Sequence, residues 1–169
     1  MILTYSVRSN VDYPLHSLQE FIGNVLHSEK GITSLFGNLE FVFVDNNDAN
    51  INFILSENND IVNICNFNGL SCADRLDGNV YINFDNWISG SQVFYEGLDD
   101  KSNWLDLYRT YLINHECMHI LGFNHPPKNM TFDDYSSVMA QQTVNLQGGR
   151  SWWWPVKSDV RFFKIYKLM

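Results

Sequence analysis

The chain reads as an α+β fold: a twisted sheet of about five strands, a helix backing it, a second helix that carries a functional site, and a small irregular C-terminal part. Three observations carry that reading. Short apolar and β-branched runs recur through the first half, separated by turns rich in Asp, Asn and Gly. Two stretches instead space their apolar residues as helices do. After Gly122 neither period persists, and Pro126 and Pro127 interrupt the chain.

Taken in order, residues 2–7 alternate well enough for a strand. Leu15, Leu18, Phe21, Ile22, Val25 and Leu26 recur at helical spacing and predict the backing helix. Four more strands are predicted over 39–44, 50–55, 61–66 and 79–84. The strand over 61–66 is our candidate for an edge to which an extended peptide could add by main-chain pairing; an ordinary solvent-facing edge explains it equally well. Ser102 or Asn103 then caps a helix whose apolar face includes Leu105, Tyr108, Leu112 and Ile113 and which runs to about residue 121. Residues 159–168 read as a terminal helix. There is no internal repeat, low-complexity linker or domain boundary, so residues 1–169 are expected to form one domain.

Composition narrows the function. The 169 residues are 45% hydrophobic and 15% aromatic, ample for a packed core. A net charge of -8 and a pI near 4.9 argue against a nucleic-acid groove, which needs clustered Lys and Arg. Solubility explains the acidity better than attraction of basic substrates. No apolar run reaches the roughly 18 residues of a membrane span, and Met1-Ile2-Leu3-Thr4-Tyr5 lacks the basic segment and long apolar core of a leader. Cys65 and Cys72 are close enough to staple the intervening loop in an oxidising compartment, which leaves Cys117 odd and buried on its helix. The cysteine pair suggests export and the missing leader suggests the cytosol, so localisation stays open.

The most informative run is His115-Glu116-Cys117-Met118-His119-Ile120-Leu121-Gly122-Phe123-Asn124-His125. Residues four apart share one helix face, so His115 and His119 can offer ring nitrogens to one metal from successive turns. Gly122 lets the chain leave the helix through a left-handed conformation, from which His125 can return as a third ligand. Three protein ligands leave a fourth position for water, whose pKa a catalytic zinc lowers to about 7, and Glu116 falls beside that position to take the proton. Cys117 points elsewhere on the helix, which makes a soft-ligand site a poor alternative. The short pattern H-E-x-x-H also describes surface histidine pairs in unrelated helices, whereas the longer form with glycine and a third histidine is specific. Three of the chain's five histidines fall inside these eleven residues.

This run resembles the signature of the metzincin metallopeptidases, HExxHxxGxxH followed by a methionine-containing turn. Ser136-Ser137-Val138-Met139-Ala140-Gln141 is the matching candidate turn. The resemblance implies that Met139 is an apolar floor under the three histidines and makes no metal bond, a role close to ordinary core packing. Some metzincins place a zinc-reaching tyrosine two residues later; Gln141 stands here, so no tyrosine switch is expected. The resemblance also implies an upper subdomain over about 1–122, a lower one over about 123–169, and a substrate extended between them.

A second resemblance covers almost the whole chain, to an uncharacterised domain family known mainly from secreted or membrane-anchored actinobacterial proteins and carrying the same zinc motif. Its matching segments are Cys65 with Cys72, Asn79-Val80-Tyr81-Ile82-Asn83, Trp87, Asn114-His115-Glu116, Val138-Met139, Gln141-Gln142-Thr143 and Trp154-Pro155. Those relatives usually carry a second cysteine pair around the methionine turn, where this chain has Pro127 or its neighbours and Gly149. The absence of both partners is consistent with loss of one disulfide without loss of the site. The family pattern favours a Cys65–Cys72 bond.

Other features have plain explanations. Trp152-Trp153-Trp154 could stack a ligand, but three consecutive rings cannot all face one side, and packing explains them better. Asp45-Asn46-Asn47-Asp48 and Asp99-Asp100 lack calcium-loop spacing and read as turns. His16 and His27 read as surface residues. The expectation is therefore a monomeric zinc metalloendopeptidase with one catalytic zinc, acting on a peptide or protein substrate. A zinc hydrolase of a non-peptide amide or ester is the first alternative; a non-catalytic zinc-binding interaction module, which would not need Glu116, is the second.

Overall fold

Five apolar segments build one sheet: β1 (Ile2–Ser9), β2 (Glu40–Phe43), β3 (Ile51–Ser56), β4 (Cys72–Asp74) and β5 (Asn79–Asn83), in the order β2-β1-β3-β5-β4. The computed structural model describes residues 1–127, 131–146 and 148–162. β2, β1, β3 and β5 run parallel, and β4 is antiparallel to β5. Parallel neighbours cannot be joined by a tight turn. The crossover from β1 is α1 (Leu15–Leu26), and that from β3 contains α2 (Asn58–Cys65). β2 ends within one residue of the level of Tyr5 in β1, and β3 begins opposite Tyr5 on its other edge, so the link between them needs no helix.

β3 is buried along its full length, as a central parallel strand covered on both faces should be. α1 turns Leu18, Ile22, Val25 and Leu26 inward, a stripe at helical spacing. After β5 come the short helices α3 (Phe84–Ser89) and α4 (Gln92–Glu96), then the long α5 (Trp104–Ile120). α5 is buried over most of its circumference, from Tyr108 to Met118, and packs on α1, β4 and β5. A helix so enclosed must find partners for its polar residues, and Thr110, Asn114, His115 and Glu116 are among those it buries.

The prediction of a strand and sheet edge over 61–66 is wrong. Those residues belong to α2, which buries Ile61 and ends where Asn66 turns left-handed at φ 60°. Ile61, Val62 and Ile64 supply β-branched character, but the parallel β3–β5 pairing requires a crossover in this stretch, and the topology overrides the propensity. The sheet still has five strands because the three-residue β4 is the edge beyond β5. Asn103 precedes α5 with φ 54° but forms no side-chain cap, contrary to expectation. Residues 157–162 form a 3-10 helix, and the rest of the predicted terminal helix lies outside the described residues. A disulfide joins Cys65, the last residue of α2, to Cys72, the first of β4. Between α5 and that 3-10 helix lie two short paired strands, β6 (Thr131–Phe132) and β7 (Tyr135–Ser136). Among the described residues no helix is long and apolar enough to cross a membrane.

Candidate metal site and cleft

α5 places His115 and His119 one turn apart on one face, and its end brings the third imidazole back. The Gly122 N–H donates to the His119 carbonyl at 3.1 Å and the Phe123 N–H to the Met118 carbonyl at 3.0 Å, a Schellman closure. Gly122 adopts φ 108°, open to glycine and strained for other residues. The chain then doubles back. His119 Nε2 lies 3.1 Å from His115 Nε2 and 3.0 Å from His125 Nε2, and the three histidines offer nitrogens that all lie within 4.8 Å of one another. Two nitrogens about 2.0–2.1 Å from a tetrahedral zinc would stand roughly 3.3 Å apart.

The other ring nitrogens explain why two of these imidazoles face inward. His115 Nδ1 donates to the Val138 carbonyl at 2.8 Å, and His119 Nδ1 to the Phe123 carbonyl at 2.9 Å. Carbonyls accept only, so both rings carry their proton on Nδ1 and present Nε2 lone pairs to each other. Lone pairs converging at this distance repel unless a cation lies between them. Burial, reinforced by the neighbouring histidines, pushes His115 well below the ordinary imidazole range; burial followed by the field of His125 pulls His119 down to about 4. Burial and then Arg75 lower His125. All three are therefore neutral, the ligating form, near pH 7. His115, His119 and His125 could hold a metal ion.

Glu116, next along the helix, is 6% exposed and lines the same cleft. Burial pushes its carboxyl up to about 8. The cleft has a volume of about 490 Å³. Its floor is polar, with the three histidines, Glu116 and Gln141, and its wall carries Ile64, Phe67, Leu70 and Ala73 from α2, the following loop and β4. The disulfide cysteines belong to that wall. The Gln141 amide nitrogen stands 3.3 Å and 3.4 Å from the two ring nitrogens of His125.

Below His115 the chain makes a tight turn. The Ala140 N–H donates to the Ser137 carbonyl at 2.9 Å and the Met139 N–H to Ser137 Oγ at 3.0 Å, with Met139 fully buried. Tyr111 of α5 donates its hydroxyl to the Ala140 carbonyl at 2.7 Å and accepts the Gln142 N–H at 3.0 Å. The buried Gln142 side chain donates to the Ser137 and Trp152 carbonyls, and its Oε1 accepts from the Trp152 N–H. Asp159, also buried, accepts from Ser137 Oγ and from the Val156 N–H, both at 2.6 Å.

A family sequence profile matches residues 12–153. The chain belongs to the DUF3152 family. The family is described as a protein of unknown function, in agreement with the whole-chain resemblance to an uncharacterised domain. None of the curated proteins matches this DUF3152 chain. Two solved structures of myroilysin are similar to it: one at 14% identity and TM-score 0.44, covering 79% of this chain and 55% of that one, the other at 13% and 0.40, covering 99% and 65%. The chain thus spans about half to two thirds of their length.

In this DUF3152 chain the structure brings together His115, Glu116, His119 and His125, with Gly122 at the turn between them and the Met139 turn beneath. Cys117 is buried, its thiol pushed up by burial, and it is absent from the cleft. The tryptophans pack: Trp152 lies 5.1 Å from the Tyr135 ring and 4.9 Å from the Trp153 ring, and Trp153 and Trp154 pack against the core. Asp99 accepts from Tyr135 and pairs with Arg150 at 2.9 Å, while the Asn46 and Asp100 side chains accept backbone N–H groups in local turns. Arg75, Gln142 and Asp159 are the site residues that sequence reading missed. Gln142 carried one signal, as part of a segment shared with relatives; the other two carried none.

Proposed function

We propose that this chain is a zinc-dependent metallopeptidase of metzincin type. The observation that carries this reading is the convergence of three imidazoles, two of them anchored through Nδ1, in a cleft that also buries the Glu116 carboxyl group. His115, His119 and His125 would hold the ion, with Met139 as the floor of the site and Gly122 as the turn that makes the third ligand available. When bound, zinc supplies the Lewis acidity that makes water a nucleophile near neutral pH and polarises the scissile carbonyl. Glu116 is the general base: its carboxylate takes the proton of the attacking water and delivers it to the departing amine. Burial raises its proton affinity and positive charge in the site lowers it, a balance suited to a group that both takes and gives a proton.

The cleft suits an extended peptide. Among the described residues β4 pairs with β5 alone, and its residues Cys72, Ala73 and Asp74 all line the cleft. A substrate strand could add to that free edge, with the apolar wall taking its side chains. α5 and the turn beneath it act as one catalytic unit because Tyr111 and Gln142 tie them together.

The test is metal content together with cleavage of an unbiased peptide library by wild type and Glu116→Ala. One zinc per chain in both, with cleavage only by wild type, is the expected result. Zinc in both with cleavage by neither would transfer the reading to a non-peptide amide or ester, or to a binding role. Absence of zinc from the wild type would end it.

A further inference from the structure

Arg75 follows β4 and is distant in sequence from the histidine motif, yet its guanidinium grips the end of α5. Its Nε donates to the His119 carbonyl at 2.5 Å, and its Nη2 donates to the Phe123 carbonyl at 2.5 Å and to Asn124 Oδ1 at 3.3 Å. Both carbonyls already serve the ligand loop. The His119 carbonyl accepts the Gly122 N–H that closes the left-handed turn, and the Phe123 carbonyl accepts the Nδ1–H that aims the His119 ring. One planar fork therefore holds the turn that returns His125 and the acceptor that orients His119. A guanidinium presents such donors in a rigid plane; an ammonium does not.

A fixed cation beside imidazoles that take a metal opposes metal binding through its field. What remains in its favour is geometry. Arg75 and its neighbour Asp74 also line the cleft, so the same fork ties the substrate-facing edge of the sheet to the ligand loop.

We propose that Arg75 is a positioning residue for the metal site, holding His119 and His125 in ligating geometry through the His119 and Phe123 carbonyls, so that metal affinity depends on its fork and not on its charge. This rests on the metal-site reading above. The experiment compares wild type, Arg75→Lys and Arg75→Met by zinc competition against a chromophoric chelator, by the visible spectrum of the cobalt-substituted proteins, and by thermal melts of the metal-free forms. Both variants should bind zinc roughly 10- to 100-fold more weakly, with altered cobalt bands and a retained cooperative melt. Wild-type affinity and spectrum in Arg75→Met, or tighter binding, would overturn the proposal, because the arginine would then only repel the ion. Wild-type behaviour in Arg75→Lys alongside a loss in Arg75→Met would overturn it too, leaving charge as the active property. Should Arg75→Met fail to fold, Arg75→Gln, which keeps one planar amide donor, takes its place with an intermediate loss expected. Wild type that binds no metal sinks both readings; wild type that binds while the variants bind equally well sinks only this one.

Discussion

At the residue scale, Glu116 and the histidines impose opposite pH dependences on the metal-free protein. Burial lifts the Glu116 carboxyl from 4.5 to about 8, so its folded value stands above its unfolded one. Its contribution to stability is therefore full below about 4.5 and lost as pH rises through about 8. In chelator, Glu116→Gln should melt higher than wild type at pH 8, by an amount on the order of a few kcal/mol, with the two curves meeting at low pH. A Glu116→Gln melt no higher than wild type at pH 8 would contradict that burial. Burial lowers His119 from 6.5 to about 4, and here the sign reverses: the contribution is present above about 6.5 and lost as pH falls toward about 4. Metal-free wild type should lose stability over that window, and His119→Gln should flatten the decline. With zinc bound, Glu116→Gln should keep the metal and lose about 10²- to 10⁴-fold in peptidase turnover, the range of a general base. The histidines were legible from the sequence because their spacing is local to one helix and its turn. Arg75 was not, because nothing in a lone arginine of a polar turn names the carbonyls it meets.

At the scale of elements, α2 and the disulfide decide the shape of the cleft wall. The loop between Cys65 and Cys72 is held by the bond and also by asparagines: Asn58 Oδ1 accepts the Gly69 N–H at 2.8 Å, and Asn86 Nδ2 donates to the Gly69 carbonyl at 2.8 Å. Closing so short a loop stabilises by roughly 2–3 kcal/mol in the chain-entropy account. Replacing both cysteines by serine should lower the melting temperature by about 5 to 10 °C, and the asparagine contacts should leave the melt cooperative. A change of that size read by calorimetry supports the bond; no change would mean that it is not formed. Gly122→Ala should cost on the order of 1–3 kcal/mol through its φ of 108°, and it should weaken zinc binding because the same turn returns His125. Strand and helix were separable in sequence where periodicity was long, as in α1 and α5. They were not separable over 61–66, where a short apolar run suits either state and the parallel sheet chose.

At the scale of the whole molecule, the site is shared between α5 and a turn far along the chain, and a few polar contacts hold the two together. Tyr111→Phe removes a hydroxyl that satisfies both the Ala140 carbonyl and the Gln142 N–H. The Gln142 N–H keeps its bond to the Ala140 carbonyl at 2.8 Å, so each group loses a second partner and not its last one, at a cost of about 0.5–1.5 kcal/mol for each bond lost. Chemical denaturation should show that loss, and zinc should restore part of it, since a ligand bound only by the folded state adds stability with its concentration. The sequence by itself determined the α+β class, the helix that carries the histidines and the left-handed exit at Gly122, because each rests on local spacing or local backbone conformation; Cys65 and Cys72 were a candidate pair that the structure joins. Only the tertiary structure decided that β4 is the edge at the cleft, that Val138 and Phe123 lend the carbonyls that orient two imidazoles, and that Arg75, Gln142 and Asp159 brace the turns on either side. Those choices depend on buried polar groups finding partners across long sequence separations, and only the packed core brings such groups into reach.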